Sequence, residues 1–221
     1  MCQFKGAILL KDRVFMPAYD SHQKMLEELG IEDTRENAER LFVRAELLPP
    51  RGDVFRPVEH WEFHVDQDIV PDWFVREYEE KRMREAVAEW AGEHIYDGVS
   101  GIQKIVEQGT ELYFFRDCKD VSVVARESST ATVWARGSST ATVWAWESST
   151  ATVWARESST ATVEARESSK IKLKGHTIGE IHATYFAEIT KNVILENAAV
   201  LLDHQNKTVY TAAGDWEMRK L

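Results

Sequence analysis

Val121–Lys170 reads VSVVARESST, ATVWARGSST, ATVWAWESST, ATVWARESST, ATVEARESSK, five units of ten residues in register. Self-similarity at a fixed period marks a repeat architecture, in which each unit buries against its neighbour an edge it cannot bury alone. Inside a unit the period is two. Ser129, Ala131, Val133 and Ala135 therefore share one face of a strand, and Thr130, Thr132, Trp134 and Arg136 the other. Substitutions between units say which face is inside. The tryptophan column runs Val124, Trp134, Trp144, Trp154, Glu164, and the arginine column contains Trp146; a position that accepts glutamate is not core. The column Ala125, Ala135, Ala145, Ala155, Ala165 never changes, as a narrow interior requires. These columns predict a β-solenoid with a ten-residue coil, each unit stacked on the next, with Ala and Val inside and ladders of Thr, Trp and Arg outside.

Working outward, Leu112 to Phe115 and Cys118 keep the same spacing, with Cys118 in the column of Ser128, and Ile171 to Leu173 form a degenerate sixth unit. Atypical terminal units are expected where an array must cap its open edges. The expected organisation is an acidic α+β domain over 1–110, the ten-residue-repeat β-solenoid over 111–176 and a β-rich C-terminal cap over 177–221, built from Ala199 to Leu202 and Thr208 to Ala212 around Gln205-Asn206.

Charge divides along the same lines. Up to Asp120 there are 16 Lys and Arg against 26 Asp and Glu, then 5 against 5 to Lys170 and 6 against 6 to Leu221, so the net charge of -10 lies in the head. A phosphate-tracking surface needs a basic stripe, so direct nucleic-acid binding is not expected. Mimicry of nucleic acid by the acidic head is the converse idea, for which an ordinary solvated surface is the simpler account. Two cysteines, Cys2 and Cys118, far apart and in no metal-ligand spacing, favour a reducing compartment, and a cytoplasmic location is expected. No stretch approaches the ~20 apolar residues of a membrane span, and the opening lacks the form of a signal peptide.

The head has its own punctuation. Phe4 to Leu10 and Val14 to Met16 predict a hairpin around Lys11-Asp12; Asp20 or Ser21 caps a short helix that Gly30 ends. Thr34 caps a second helix before a strand over Leu41 to Leu48, stopped by Pro49-Pro50. In Glu59 to Asp66, Trp61, Phe63 and Val65 alternate with polar residues, the pattern of a half-buried strand. Pro71-Asp72 opens the longest helix, whose apolar stripe runs to about His94.

Two groups of residues in the head carry candidate chemistry. Removal of Met1 would leave Cys2 as an N-terminal thiol with its own amine as base, and His22 is the nearest candidate partner. The Met-Cys opening resembles those of N-terminal-nucleophile amidotransferases and abasic-site crosslinking proteins, although Gln3-Phe4-Lys5 replaces their glycine-rich continuation. That resemblance implies a hydrolase or transferase in the head. His60, Glu62, His64 and Asp66 place four potential metal ligands on one strand face; an exposed polar face is the better account of them, and neither metal nor cofactor is expected.

The outer ladders give the remaining candidate surface: Thr132, Trp134, Arg136, Thr142, Trp144, Trp146, Thr152, Trp154 and Arg156. The Thr-Ala-Thr rows resemble ice-binding proteins, but Trp and Arg beside them roughen the plane. An exposed apolar stripe more often marks an interaction surface. A homodimer joined through the Trp134, Trp144, Trp154 ladder is expected, with an unidentified protein as the other possible partner.

Across most of its length the chain resembles uncharacterised hypothetical proteins of gut bacteria and their phages, in MCQFKGAILL, DSHQKMLEELGIED and VDQDIVPDW and in the Ser-Ser-Thr repeats that follow. The resemblance implies an acidic head on a solenoid of variable length and an accessory phage or prophage role. The expected function is a non-enzymatic binding or assembly protein, with the N-terminal-cysteine enzyme and the ice-binding protein as alternatives.

Overall fold

The computed structural model describes residues 4–166, 169–175, 180–183, 200–203, 208–211 and 218–220, with side-chain surroundings through residue 172. The chain divides into two compact units, Met1–His94 and Ile95–Leu221.

The first unit is α+β. Strands β1 (Gly6–Leu10), β2 (Val14–Phe15), β3 (Phe42–Leu48) and β4 (Glu62–Val65) form an antiparallel sheet in the order β2-β1-β3-β4. Ser21 and Thr34 cap α1 (His22–Glu28) and α2 (Arg35–Arg40) by accepting from the amides of Lys24 and Asn37. Both helices cover the face that carries Ile8 and Phe42, where Met25, Leu26 and Ala38 close a core. The long helix α3 (Arg76–His94) packs along β1, β2 and β3, with Met83 and Val87 fully buried. Two boundaries differ from the sequence expectation. Pro57 leads a 3-10 turn over Val58–His60, so β4 starts at Glu62 and His60 leaves the strand face. Pro71 opens a turn closed by the Phe74 amide, and α3 begins only at Arg76.

The second unit is a parallel β-solenoid. Its strands are β5 (Ile95–Asp97), β6 (Gln103–Val106), β7 (Thr110–Arg116), β8 (Val121–Ala125), β9 (Thr130–Arg136), β10 (Thr140–Ala145), β11 (Thr150–Ala155), β12 (Thr160–Ala165), β13 (Lys170–Gly175) and β14 (Glu180–Ala183). Stacking starts at β5, so the first division falls after His94 rather than at 110. The strands form two sheets, β13-β11-β9-β7-β5 and β14-β12-β10-β8-β6. Each decapeptide thus stacks on the next but one, and the coil is twenty residues, not ten: Trp154 lies in register with Trp134, and Trp144 with Val124 and Glu164. The reason is directional. One corner sends the chain back across the core, and only the second restores its heading, so parallel stacking needs two decapeptides per coil. In the tail, β15 (Val200–Asp203), β16 (Thr208–Thr211) and β17 (Met218–Lys220) form an antiparallel sheet.

The interior follows the predicted parity. Ala131, Val133, Ala135, Val143, Ala145, Ala151, Val163 and Ala165 are 0–1 % exposed. The corners are tied by a buried serine column. The hydroxyls of Ser129, Ser149 and Ser159 donate to the carbonyls of Val106, Ala125 and Ala135 in the preceding coil, at 2.8, 3.1 and 3.1 Å. Cys118 belongs to this buried column and not to that of Ser128, which is exposed. Its thiol donates to the carbonyls of Tyr96 and Arg116, as the serines do to theirs.

Candidate functional site

The two sheets give the solenoid two unlike outer faces. On the first, β7, β9 and β11 align Phe114, Trp134 and Trp154. Parallel register sets their backbones one strand spacing apart, about 4.8 Å, and the two indoles stack at 4.4 Å with planes 5° apart. Phe114 continues the column, tilted, at 5.9 Å. Beside it runs an arginine column of Arg116, Arg136 and Arg156. The Arg156 guanidinium lies over both indoles, at 5.6 and 5.9 Å from their centroids. Arg116 is tied by a bidentate pair to Asp97, which holds the Asp97 carboxyl below its ordinary range, chiefly through that hydrogen bond.

On the second face the corresponding column is Ile105, Val124, Trp144 and Glu164, with Ile105 57 % exposed. Trp146 sits between Arg126 and Arg166, whose guanidinium carbons are 4.9 and 5.6 Å from its ring. The Trp146 indole N–H and Arg126 Nε are buried with no acceptor among the described residues. The tryptophans of the candidate surface are therefore not one ladder: Trp134 and Trp154 share a face, and Trp144 and Trp146 lie on the other.

Threonine ladders are two or three ranks deep. On the first face Thr110, Thr130 and Thr150 stack, followed by Lys170, and Thr132 and Thr152 stack between Leu112 and Lys172; on the second, Thr140 pairs with Thr160, and Thr142 and Thr162 stack between Ser122 and Glu180. Aromatic and charged columns run beside them.

In the head, Cys2 lies outside the described residues. His22 is 5 % exposed with both ring nitrogens engaged: Nε2 donates to the Ala45 carbonyl at 3.2 Å, and Nδ1 stands 3.3 Å from Asp66 Oδ2. Of the proposed ligand quartet, His60 is on its 3-10 turn, Glu62 and His64 are exposed on β4, and only Asp66 meets other ligand types, namely His22 and Glu46. Glu46 lies on β3, where it reads only as one of two charged residues, with Arg44, in a mostly apolar strand. The signal that finds it is register: Glu46 pairs with His64, and the Asp66 amide bonds the Arg44 carbonyl two residues away, so Glu46 and Asp66 share a face. An open groove of about 550 Å³ elsewhere on the head is lined by Val58, Ala88, Lys81, Arg84 and four glutamates, with no serine, threonine or cysteine on its walls. Burial raises the Cys118 thiol, so the described cysteine is not activated. No described helix is long and apolar enough to cross a membrane.

Compared with protein-family models, curated proteins and solved structures, the chain matches none of them.

Proposed function

We propose that the protein is a non-enzymatic binding or assembly module whose working surface is the first face of the solenoid, and that this face pairs with its own copy in a homodimer. The observation that carries the reading is the Trp134–Trp154 stack. At 4.4 Å the rings spend their facing surfaces on each other, and a planar ligand between them would need about twice that separation. Neither a sugar nor a nucleobase can enter. What remains is a rigid strip of indole edges flanked by guanidinium groups, the composition of a protein interface centre, where Trp and Arg are enriched. Repeat arrays present such strips on a surface whose length changes by whole coils.

A two-fold axis between the rings sets Trp134 against the partner's Trp154 and the reverse, which makes the patch self-complementary. Covering a few hundred Å² of apolar surface at ~25 cal/mol per Å² contributes several kcal/mol towards association, part of which offsets lost translational and rotational freedom. An accessory role in a phage or prophage, drawn from the likeness of the head and repeats to such proteins, belongs to the same proposal.

Sedimentation equilibrium tests it. The wild type is expected to be a dimer at micromolar concentration, Trp134→Thr/Trp154→Thr a monomer, and Trp144→Thr a dimer. A monomeric wild type removes the self-pairing, and a dimer that survives the double substitution moves the interface to another surface.

A further inference from the structure

We propose that His22, Glu46 and Asp66 form a binding site for a divalent transition-metal ion, in the head and separate from the solenoid surface. Three elements deliver the ligands. Ser21 caps α1 and so fixes His22 as its first residue; β3 carries Glu46; and Asp66 follows β4, its amide continuing the ladder to Arg44 at 2.9 Å. One donor atom from each residue lies within 4.8 Å of the other two.

The electrostatics of the cluster call for a cation. Because a carbonyl only accepts, the Nε2–Ala45 bond puts the proton of a neutral His22 ring on Nε2 and leaves a lone pair on Nδ1. That lone pair faces the Asp66 carboxylate at 3.3 Å, an arrangement that repels unless positive charge lies between them. A proton on Nδ1 would satisfy this contact alone. Glu46, a residue 4 % exposed, brings a second carboxylate within 4.8 Å of both groups. Two carboxylates and an imidazole lone pair that converge in this way repel one another. A metal ion neutralises both carboxylates and takes up the imidazole lone pair at once.

The dimensions agree. A tetrahedral ion with bonds of ~2.0–2.1 Å holds its donors about 3.3 Å apart, the separation His22 and Asp66 already have; Glu46 stands within 4.8 Å of both. One imidazole and two carboxylates form a nitrogen and oxygen set suited to zinc or manganese, and three protein ligands leave a position for water.

The test is zinc titration of the full chain by calorimetry, with native mass spectrometry for stoichiometry and cobalt substitution for ligand type. One zinc per chain is expected, with a cobalt spectrum lacking thiolate charge transfer. Asp66→Asn and Glu46→Gln should each weaken binding by more than about tenfold, and His60→Ala should leave it unchanged. Asp66 is 53 % exposed at its side chain, so Asp66→Asn decides the matter even if Glu46→Gln disturbs folding. Absence of bound zinc, unaltered affinity in Asp66→Asn, or a thiolate band that places the ion on cysteine would each overturn the site.

Discussion

Trp134 and Trp154 stack at 4.4 Å although they are twenty positions apart in sequence, and Trp144, midway between them, belongs to the opposite sheet. Removing either ring removes the same contact, so in urea unfolding the combined loss for Trp134→Ala with Trp154→Ala should fall short of the sum of the single losses by about 0.5–1.5 kcal/mol. The losses for Trp134→Ala and Trp144→Ala should simply add. Coupling between Trp134 and Trp144 would mean that consecutive decapeptides stack.

Deleting Ala141–Thr150 tests the coil differently. Neighbouring decapeptides have the same inward Ala-Val-Ala set, so the shortened chain should keep its far-ultraviolet strand signal. Every later unit, however, moves to the other sheet: Trp154 would lie over Val124, and Glu164 over Trp134. The expected variant is folded, and in it the losses for Trp134→Ala and Trp154→Ala simply add. Coupling between the two that survives this deletion would contradict the two-sheet register.

These tests bear on what the sequence makes legible. Period two within a unit assigns Val133 inward and Trp134 outward, and the burial pattern agrees at every described repeat strand. Side-chain alternation is a local property, written in consecutive residues. Coil length is not local. It depends on how many corners bring the chain back to its starting direction, and five near-identical units look the same whether each stacks on the next or the next but one. For this reason Trp134, Trp144 and Trp154, a single column in the sequence, fall on two faces in the structure. The head shows the same limit. Ser21 and Thr34 are readable as caps because the partner amide is three residues away, whereas the meeting of His22, Glu46 and Asp66 depends on the pairing of β3 with β4 and the seating of α1.

Val143→Asp should be the most damaging of the single substitutions in the repeats. Val143 is fully buried in the apolar core cluster of the solenoid, where a carboxylate would be taken out of water. A loss of about 3–5 kcal/mol is expected, against less than about 0.5 kcal/mol for Thr142→Asp on the outer face. Urea midpoints compare the two directly, and similar midpoints would reverse the assignment of faces.

Asp97 supplies a pH dependence. Its folded carboxyl is lowered by Arg116, so its contribution is present above the unfolded value near about 4 and is lost as pH falls through the lowered folded value. The Asp97 side chain is 49 % exposed, which limits the pair to under about 1 kcal/mol. Asp97→Asn should lower the urea midpoint modestly at pH 7 and match the wild type once the pH is below the folded value. A difference of the same size at both pH values would assign the effect to packing rather than charge.

The last prediction concerns Gly137, which stands where other corners carry glutamate. Glu127, Glu147 and Glu157 all adopt positive φ, at 55°, 61° and 63°, and Gly137 does so at 63°. A side chain at such a backbone costs about 1 kcal/mol. Two of the glutamates have a compensating contact: the Glu147 carboxylate accepts from the Glu127 amide one coil back, and that of Glu157 from the Gly137 amide at 2.8 Å. At Gly137 the corresponding space is filled from the preceding coil. Asp117 Oδ1 accepts from the Ser138 amide at 2.8 Å and its hydroxyl at 3.1 Å, and a Cβ on Gly137 would fall 2.3 Å from that oxygen. Gly137→Ala must therefore displace the carboxylate and add backbone strain, for a loss of about 1–3 kcal/mol. The two parts separate in a double-mutant cycle. In an Asp117→Ala background the obstacle is absent, and Gly137→Ala should cost only the backbone term, so the combined loss falls short of the sum of the single losses by about 1 kcal/mol. Strict additivity in urea unfolding would mean that Asp117 does not hold this corner.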